Sequence, residues 1–129
     1  MILERALVVS MIEQAAQAWR DERPHDFVAL FAPSGVFIVP GNRWIGHTSI
    51  HQAITDYFVT KTNVVIVIHQ IIVENNHAMV EWSWSDSDRK TQLHPDLPAL
   101  ARSHAEDAIA IDFDPEGKIL RWREYIDAL

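Results

Sequence analysis

The sequence predicts an α+β protein, with most helix in its N-terminal half and most strand in its C-terminal half. Three observations carry this. Apolar residues recur at helical spacing in two N-terminal segments, β-branched residues crowd into residues 62–74, and apolar and polar residues alternate in the segments that follow.

Residues 2–20 read as an amphipathic helix, with Leu3, Leu7, Met11, Ala15 and Ala18 in a stripe and Glu4, Glu13, Gln14 and Gln17 off it. Trp19 closes the stripe. Asp21-Glu22-Arg23-Pro24 breaks the pattern, and Pro24 suits the first turn of a short helix through Leu30, with Phe27, Leu30 and Phe31 packed inward. Residues 36–39 follow as a strand ended by Pro40-Gly41, and residues 42–46 as a loop. The third helix has the clearest pattern: Ile50, Ala53, Ile54, Tyr57 and Phe58 make one broad apolar face. Thr48 or Ser49 is its expected cap, since Ser49 with Gln52 matches the capping box.

Val64 to Ile68 and Ile71 to Val73 predict a long strand buried on both faces, interrupted by His69 and Gln70. Glu74-Asn75-Asn76-His77 turns into a strand from Ala78 to about Asp86, with Val80, Trp82 and Trp84 on one face. Residues 87–103 form a long connection in which Leu93, Leu97 and Leu100 are expected to pack down; connections of this length often serve as lids or binding loops. In residues 104–113, Asp107, Ile109, Ile111 and Phe113 share a face. The turn Asp114-Pro115-Glu116-Gly117 leads to a last strand. Ile119, Arg121, Arg123, Tyr125 and Asp127 fall on one of its faces, and Leu120, Trp122, Glu124 and Ile126 on the other. Neither face is plainly apolar or plainly polar, so one is expected to line a cavity and the other to meet a partner subunit. Trp122 is assigned to the dimer face.

Composition narrows the function classes. A chain of 129 residues fits one domain with a substantial core. Eleven basic against 18 acidic residues, a net charge of −7, argue against nucleic acid as a partner. The absence of cysteine excludes disulfides, thiol catalysis and Cys-ligated metals. Glu4 and Arg5 interrupt the apolar N-terminus and no cleavage-site pattern follows, so no signal peptide is read there. No apolar run approaches the roughly 20 residues of a membrane span. A cytoplasmic protein without a membrane partner is the expectation.

Three segments resemble a known family. Phe31-Ala32-Pro33-Ser34-Gly35-Val36-Phe37, Pro40-Gly41-Asn42-Arg43-Trp44-Ile45-Gly46, and Gly117-Lys118-Ile119 followed by Arg121-Trp122-Arg123-Glu124-Tyr125-Ile126-Asp127 resemble segments of the SnoaL-like branch of the NTF2-like superfamily. The resemblance runs the whole chain. It implies a cone in which N-terminal helices pack on a strongly curved, mixed, mostly antiparallel sheet, with a pocket between them. It implies no single function, because this superfamily hosts cyclases, isomerases, epoxide hydrolases, dehydratases and non-enzymatic binders.

The same resemblance makes Asp127 the first catalytic candidate, since in epoxide-hydrolase relatives the Asp ending this run stands at the pocket and acts on water. From the residues alone, Asp127 shares a face with Arg123 and Tyr125. Enclosure would raise its pKa and the arginine would lower it, whereas a salt-bridged acid near the chain end is the structural alternative. Those relatives carry an Arg and a second Asp on the middle strand. Here that strand reads Glu81-Trp82-Ser83-Trp84, and the Tyr and Asn that help hold the water are not evident around Phe37-Ile38-Val39. This argues against epoxide hydrolysis by that arrangement.

Asp107 is the second candidate because it heads an otherwise apolar face. A ketosteroid-isomerase-like reaction needs a carboxylate base beside an apolar substrate, and SnoaL-type cyclases pair an acidic base with a nearby His. His104 and Glu106 are close in sequence, but His104 has the opposite parity to Asp107. An acid bonded to backbone or to Arg102 is the structural alternative. Trp44, Tyr57, Trp82 and Trp84, with Phe37 and Phe58, are expected to wall an aromatic pocket, although tryptophans also fill cores. Arg123 and Tyr125 are the expected polar ligand contacts. His47 and His51 are four apart, but the helix begins between them, and His94 and His104 flank the long connection. With no His-Glu-x-x-His pattern, phosphate loop or nucleophile elbow, neither metal nor cofactor is expected.

The expected protein binds a small, largely apolar or aromatic molecule and forms a homodimer through its open sheet. Its expected chemistry is isomerase- or cyclase-type acid–base catalysis with Asp127 or Asp107 as base. The alternative is a non-catalytic ligand-binding or protein-interaction module of the same fold.

Overall fold

The computed structural model describes residues 2–89 and 102–129. Its elements follow the chain as α1 (Arg5–Arg20), α2 (Pro24–Val28), β1 (Phe31–Val39), β2 (Asn42–Ile45), α3 (His47–Thr60), β3 (Lys61–Glu74), β4 (His77–Asp88), β5 (Ser103–Phe113) and β6 (Ile119–Ala128). Among the described residues the strands form one six-stranded sheet, ordered β2-β1-β6-β5-β4-β3. Neighbouring strands run antiparallel except β1 and β6, which are parallel. Register irregularities in the β1–β6, β3–β4 and β5–β6 pairs bend the strands and wrap the sheet around the helices. This is the expected α+β architecture.

The core lies between the helices and the inner face of the sheet. Helix α1 turns Val8, Met11, Ile12, Ala15, Ala16 and Trp19 inward, a stripe rotated from the expected one, so Leu7 is exposed. Pro24 begins α2, which buries Phe27 and Val28. Helix α3 buries Ile50 and Ile54 and packs Tyr57 and Phe58 against the core. Its cap is Gly46, at φ +86°, rather than Thr48 or Ser49, and no side chain caps it. The glycine turns the chain into the helix two residues before Thr48 and three before Ser49.

The sheet differs from expectation in three places. Residues 42–46 are not all loop, because Asn42–Ile45 pairs with β1 as a hairpin strand. Strand β1 begins at Phe31, earlier than residue 36, and crosses β6 closely at Gly35. Strand β3 is not buried on both faces: Val64 and Ile66 are buried while Val65, Val67 and Ile72 are exposed. It is an edge strand, and no described helix covers its outer face. The turns at Asn75-Asn76 and at Asp114–Gly117 stand as expected. Asp114 Oδ1 accepts the N–H groups of Glu116 and Lys118, each at 2.9 Å. Leu93, Leu97, Leu100 and most of the long connection lie outside the described residues.

No helix among the described residues is long and apolar enough to cross a membrane.

Candidate functional site

Alternation decides which side chains the sheet offers to its inner face. On β4, Val80, Trp82, Trp84 and Asp86 point inward, opposite Ile109, Asp107, Ala105 and Ser103 of β5. On β6 the inward row is Trp122, Glu124, Ile126 and Ala128. Above these rows lies a cavity of about 340 Å³. Its walls are apolar and aromatic: Trp19 from α1, Phe37 from β1, Trp44 from β2, Tyr57 from α3 and Trp84 from β4. Its acidic groups are Asp86, Asp107 and Glu124.

Asp107 and Glu124 sit side by side at the sheet end of this space. Trp82 Nε1 donates to Asp107 Oδ2 at 3.2 Å, and Trp122 Nε1 donates to Glu124 Oε2 at 3.2 Å. Burial pushes the Glu124 carboxyl well above its usual range, and the charge of Asp107 pushes it further. Burial also raises Asp107, while hydrogen bonds from Glu124 and Trp82 hold it back. Both carboxyls are therefore shifted toward their protonated forms, Glu124 the more strongly.

Asp86 lies at the other end. Its Oδ2 accepts hydrogen bonds from the Tyr57 hydroxyl and from Trp84 Nε1, the latter at 3.1 Å. Burial raises the Tyr57 phenol above its usual range, helped by Asp86, so Tyr57 remains a donor. Three buried side-chain atoms among the described residues lack a conventional hydrogen-bond partner: Trp19 Nε1, Asp86 Oδ1 and Asp107 Oδ1. All three belong to residues lining the cavity. Asp107 also interacts with the neighbouring Glu124 carboxyl. Buried polar atoms left unpaired are costly, and their concentration around one cavity makes it the candidate site.

Residues 12–122 match the SnoaL-like domain family. The chain belongs to this family. Solved structures share its fold. One is a hypothetical protein with a ketosteroid isomerase-like fold from Catenulispora acidiphila, in complex with trimethylamine. It is 16% identical, with a TM-score of 0.76, covering 89% of this chain and 83% of the other. A putative polyketide cyclase from Xanthomonas campestris pv. campestris is 15% identical, with a TM-score of 0.74 and coverages of 95% and 92%. TerC co-crystallized with polyporic acid is 12% identical, with a TM-score of 0.73 and coverages of 94% and 92%. At these identities the likeness is one of fold. No curated protein matches the chain in sequence.

In this SnoaL-like protein, Asp107, Trp44, Tyr57 and Trp84 come together at the cavity. Trp82 does not line it. Fully buried beneath, Trp82 orients Asp107. Arg123, Tyr125 and Asp127 stand on the outer face of β6, away from the cavity, with the Arg123 guanidinium 4.8 Å from the centre of the Tyr125 ring. The cavity-facing row is the other one, because Trp122 is fully buried among Phe27, Phe31 and Trp82 instead of lying on a dimer face. Burying that indole turns Glu124 and Ile126 inward and Asp127 outward. Arg102 bonds Ser85, Ser87 and the Asn63 carbonyl, not Asp107. His104 is exposed at the rim, and His47 bonds the Phe31 carbonyl at 2.8 Å. His94 lies outside the described residues.

Sequence reasoning missed Asp86 and Glu124 as site residues. For Asp86 the signal is present, since it continues the row Val80-Trp82-Trp84 by strict alternation. For Glu124 the signal is its parity with Trp122, the largest side chain on the strand.

Proposed function

We propose that this SnoaL-like protein binds a small, largely apolar molecule in the cavity and moves a proton on it with Asp107 as the base. The observation carrying this reading is the unpaired buried polar atoms, all belonging to residues around one aromatic-walled space. Small-ligand sites have this character: apolar walls with a few placed polar groups. Asp107 is buried and oriented by Trp82, and Glu124, the carboxyl raised more strongly by burial, stands beside it. Such a base removes a proton from an activated carbon and returns it elsewhere on the same skeleton, as isomerisation or ring closure requires. The Trp19 N–H is a further unpaired donor on a residue of the cavity wall. Asp127 has no part in this reading.

The test begins with native mass spectrometry of protein purified gently from its own cells, followed by denaturing release of the bound molecule. The released compound is then incubated in D₂O with the wild type or with Asp107→Asn. A discrete compound that takes up deuterium only with the wild type is expected. Equal uptake with both proteins overturns the assignment of Asp107, and a bound compound without uptake supports the non-catalytic alternative. Ligand-free protein that no compound class stabilises overturns the binding reading.

A second copy of the chain is the proposed partner for the outer sheet face. Val65, Val67, Ile72, Met79 and Tyr125 are exposed there, an apolar set larger than scattered surface residues explain. Light scattering is expected to show a dimer that Val67→Lys converts to monomer. A wild-type monomer removes this reading.

A further inference from the structure

The charge balance of the cavity names the class of its ligand, given the binding reading above. We propose that the ligand carries a protonated amine, and that the Asp86 end of the cavity holds it. Asp86 is buried, and its Oδ1 has no hydrogen-bond partner, although Oδ2 is held in place by Tyr57 and Trp84. A buried carboxylate with one oxygen pinned and the other unpaired is a preorganised acceptor. No Lys or Arg lines the cavity among the described residues, and the histidine in the lining, His104, is exposed at the rim.

The rest of the lining favours the same ligand charge. Asp107 and Glu124 add two further acidic side chains to the lining. Trp19 Nε1 is the sole unpaired buried side-chain donor among the described residues. An anionic ligand would meet two carboxylate centres and one neutral N–H. A cation meets the reverse. Trp19, Trp44, Tyr57 and Trp84 border the same space, and aromatic faces attract organic cations.

The two acidic centres are also separated. Asp107 pairs with Trp82 while Asp86 pairs with Ser103, an offset of four residues along β4, or roughly 13 Å at the usual strand rise. A ligand seated with its ammonium at Asp86 extends its apolar body toward Asp107. The amine is thus a recognition group, and the base acts at the other end.

Three matched probes test this: phenethylammonium, phenethyl alcohol and phenylacetate, titrated while the indole N–H signals are followed by NMR. Phenethylammonium is expected to bind at least about tenfold more tightly than the alcohol, and phenylacetate most weakly. Asp86→Asn is expected to bring the ammonium and the alcohol to equal affinity. If the alcohol or phenylacetate binds as well as the ammonium in the wild type, the inference is overturned while the binding reading stands. If Asp86→Asn folds and keeps the preference, Asp86 is not the cation site and the inference is likewise overturned. If none of the three shifts the indole signals, both readings fall. Should Asp86→Asn not fold, the wild-type comparison still decides.

Discussion

Glu124 stands diagonally across the sheet from Asp107, its own register partner being Ile109, two residues further along β5. The two carboxyls lie on one buried face, and each is fixed by a tryptophan N–H. This closeness makes their proton a structural component.

The pair predicts an inverted pH dependence of stability. Glu124 is raised above its ordinary value of 4.5 by burial first, so between that value and its folded value the native state binds more protons than the unfolded one. Its stabilisation is fully present below the unfolded value and is lost as pH rises through the folded one, with a slope of up to about 1.4 kcal/mol per pH unit for one proton. Asp107 is shifted in the same direction. Glu124→Gln retains a donor toward Asp107 but has no proton to lose. Urea unfolding from about pH 5 to about pH 9 should show wild-type stability falling relative to the variant. Parallel curves would show that Glu124 is not held protonated.

The two faces of β6 predict opposite sensitivities. Trp122 is fully buried among aromatic rings, and Trp122→Ala should cost about 3–5 kcal/mol. Asp127 is exposed on the other face, so Asp127→Ala should change stability by no more than about 0.5 kcal/mol. Denaturant midpoints of the two variants decide the matter. A large loss at Asp127, or a small one at Trp122, would reverse the faces.

Those faces also show where sequence reading succeeded and where it stopped. Helix α3 was legible because its apolar residues repeat without interruption. The inner rows of β4 and β5 were legible because Val80-Trp82-Trp84 and Ile109-Ile111-Phe113 alternate cleanly. Strand β6 mixes apolar and charged residues on both faces, so parity alone cannot say which row is inside. An irregularity beside Ile119 further breaks the alternation, and Ile119 and Trp122 are both buried despite opposite parity. Strand β3 reads as doubly buried because β-branched residues fill both of its rows, but a position in the sheet is a tertiary property. Glu124 escaped notice for the same reason: a buried acid is recognisable only from the neighbours that bury it.

Gly35 should tolerate no side chain. A Cβ there would lie 2.8 Å from the Ile119 carbonyl oxygen and 2.9 Å from Phe31 Cδ2, where β1 and β6 approach. The backbone oxygen cannot swing aside as a flexible side chain would. Gly35→Ala is expected to cost on the order of 1–3 kcal/mol in chemical denaturation. Unchanged stability would mean that the parallel crossing opens freely.

Tyr57 and Asp86 should prove energetically coupled. The Tyr57 hydroxyl donates to Asp86, and the phenol is pushed above its usual range by burial, then by its bond to Asp86 and the charge there. Tyr57→Phe keeps the ring, including its edge contact with Trp19 at 5.4 Å, and deletes only the donor. Asp86 would then retain Trp84 Nε1 as its sole side-chain donor, with Oδ1 already unpaired. The expected loss is about 1–3 kcal/mol, the cost of leaving a buried polar group short of a bond. A double-mutant cycle separates this from packing. In an Asp86→Asn background the same Tyr57→Phe change should cost less than half as much, because the charge it served is gone. Equal costs in the two backgrounds would mean that the hydroxyl and the carboxylate are neighbours without being partners, and Asp86 would lose the positioning that makes it a built site.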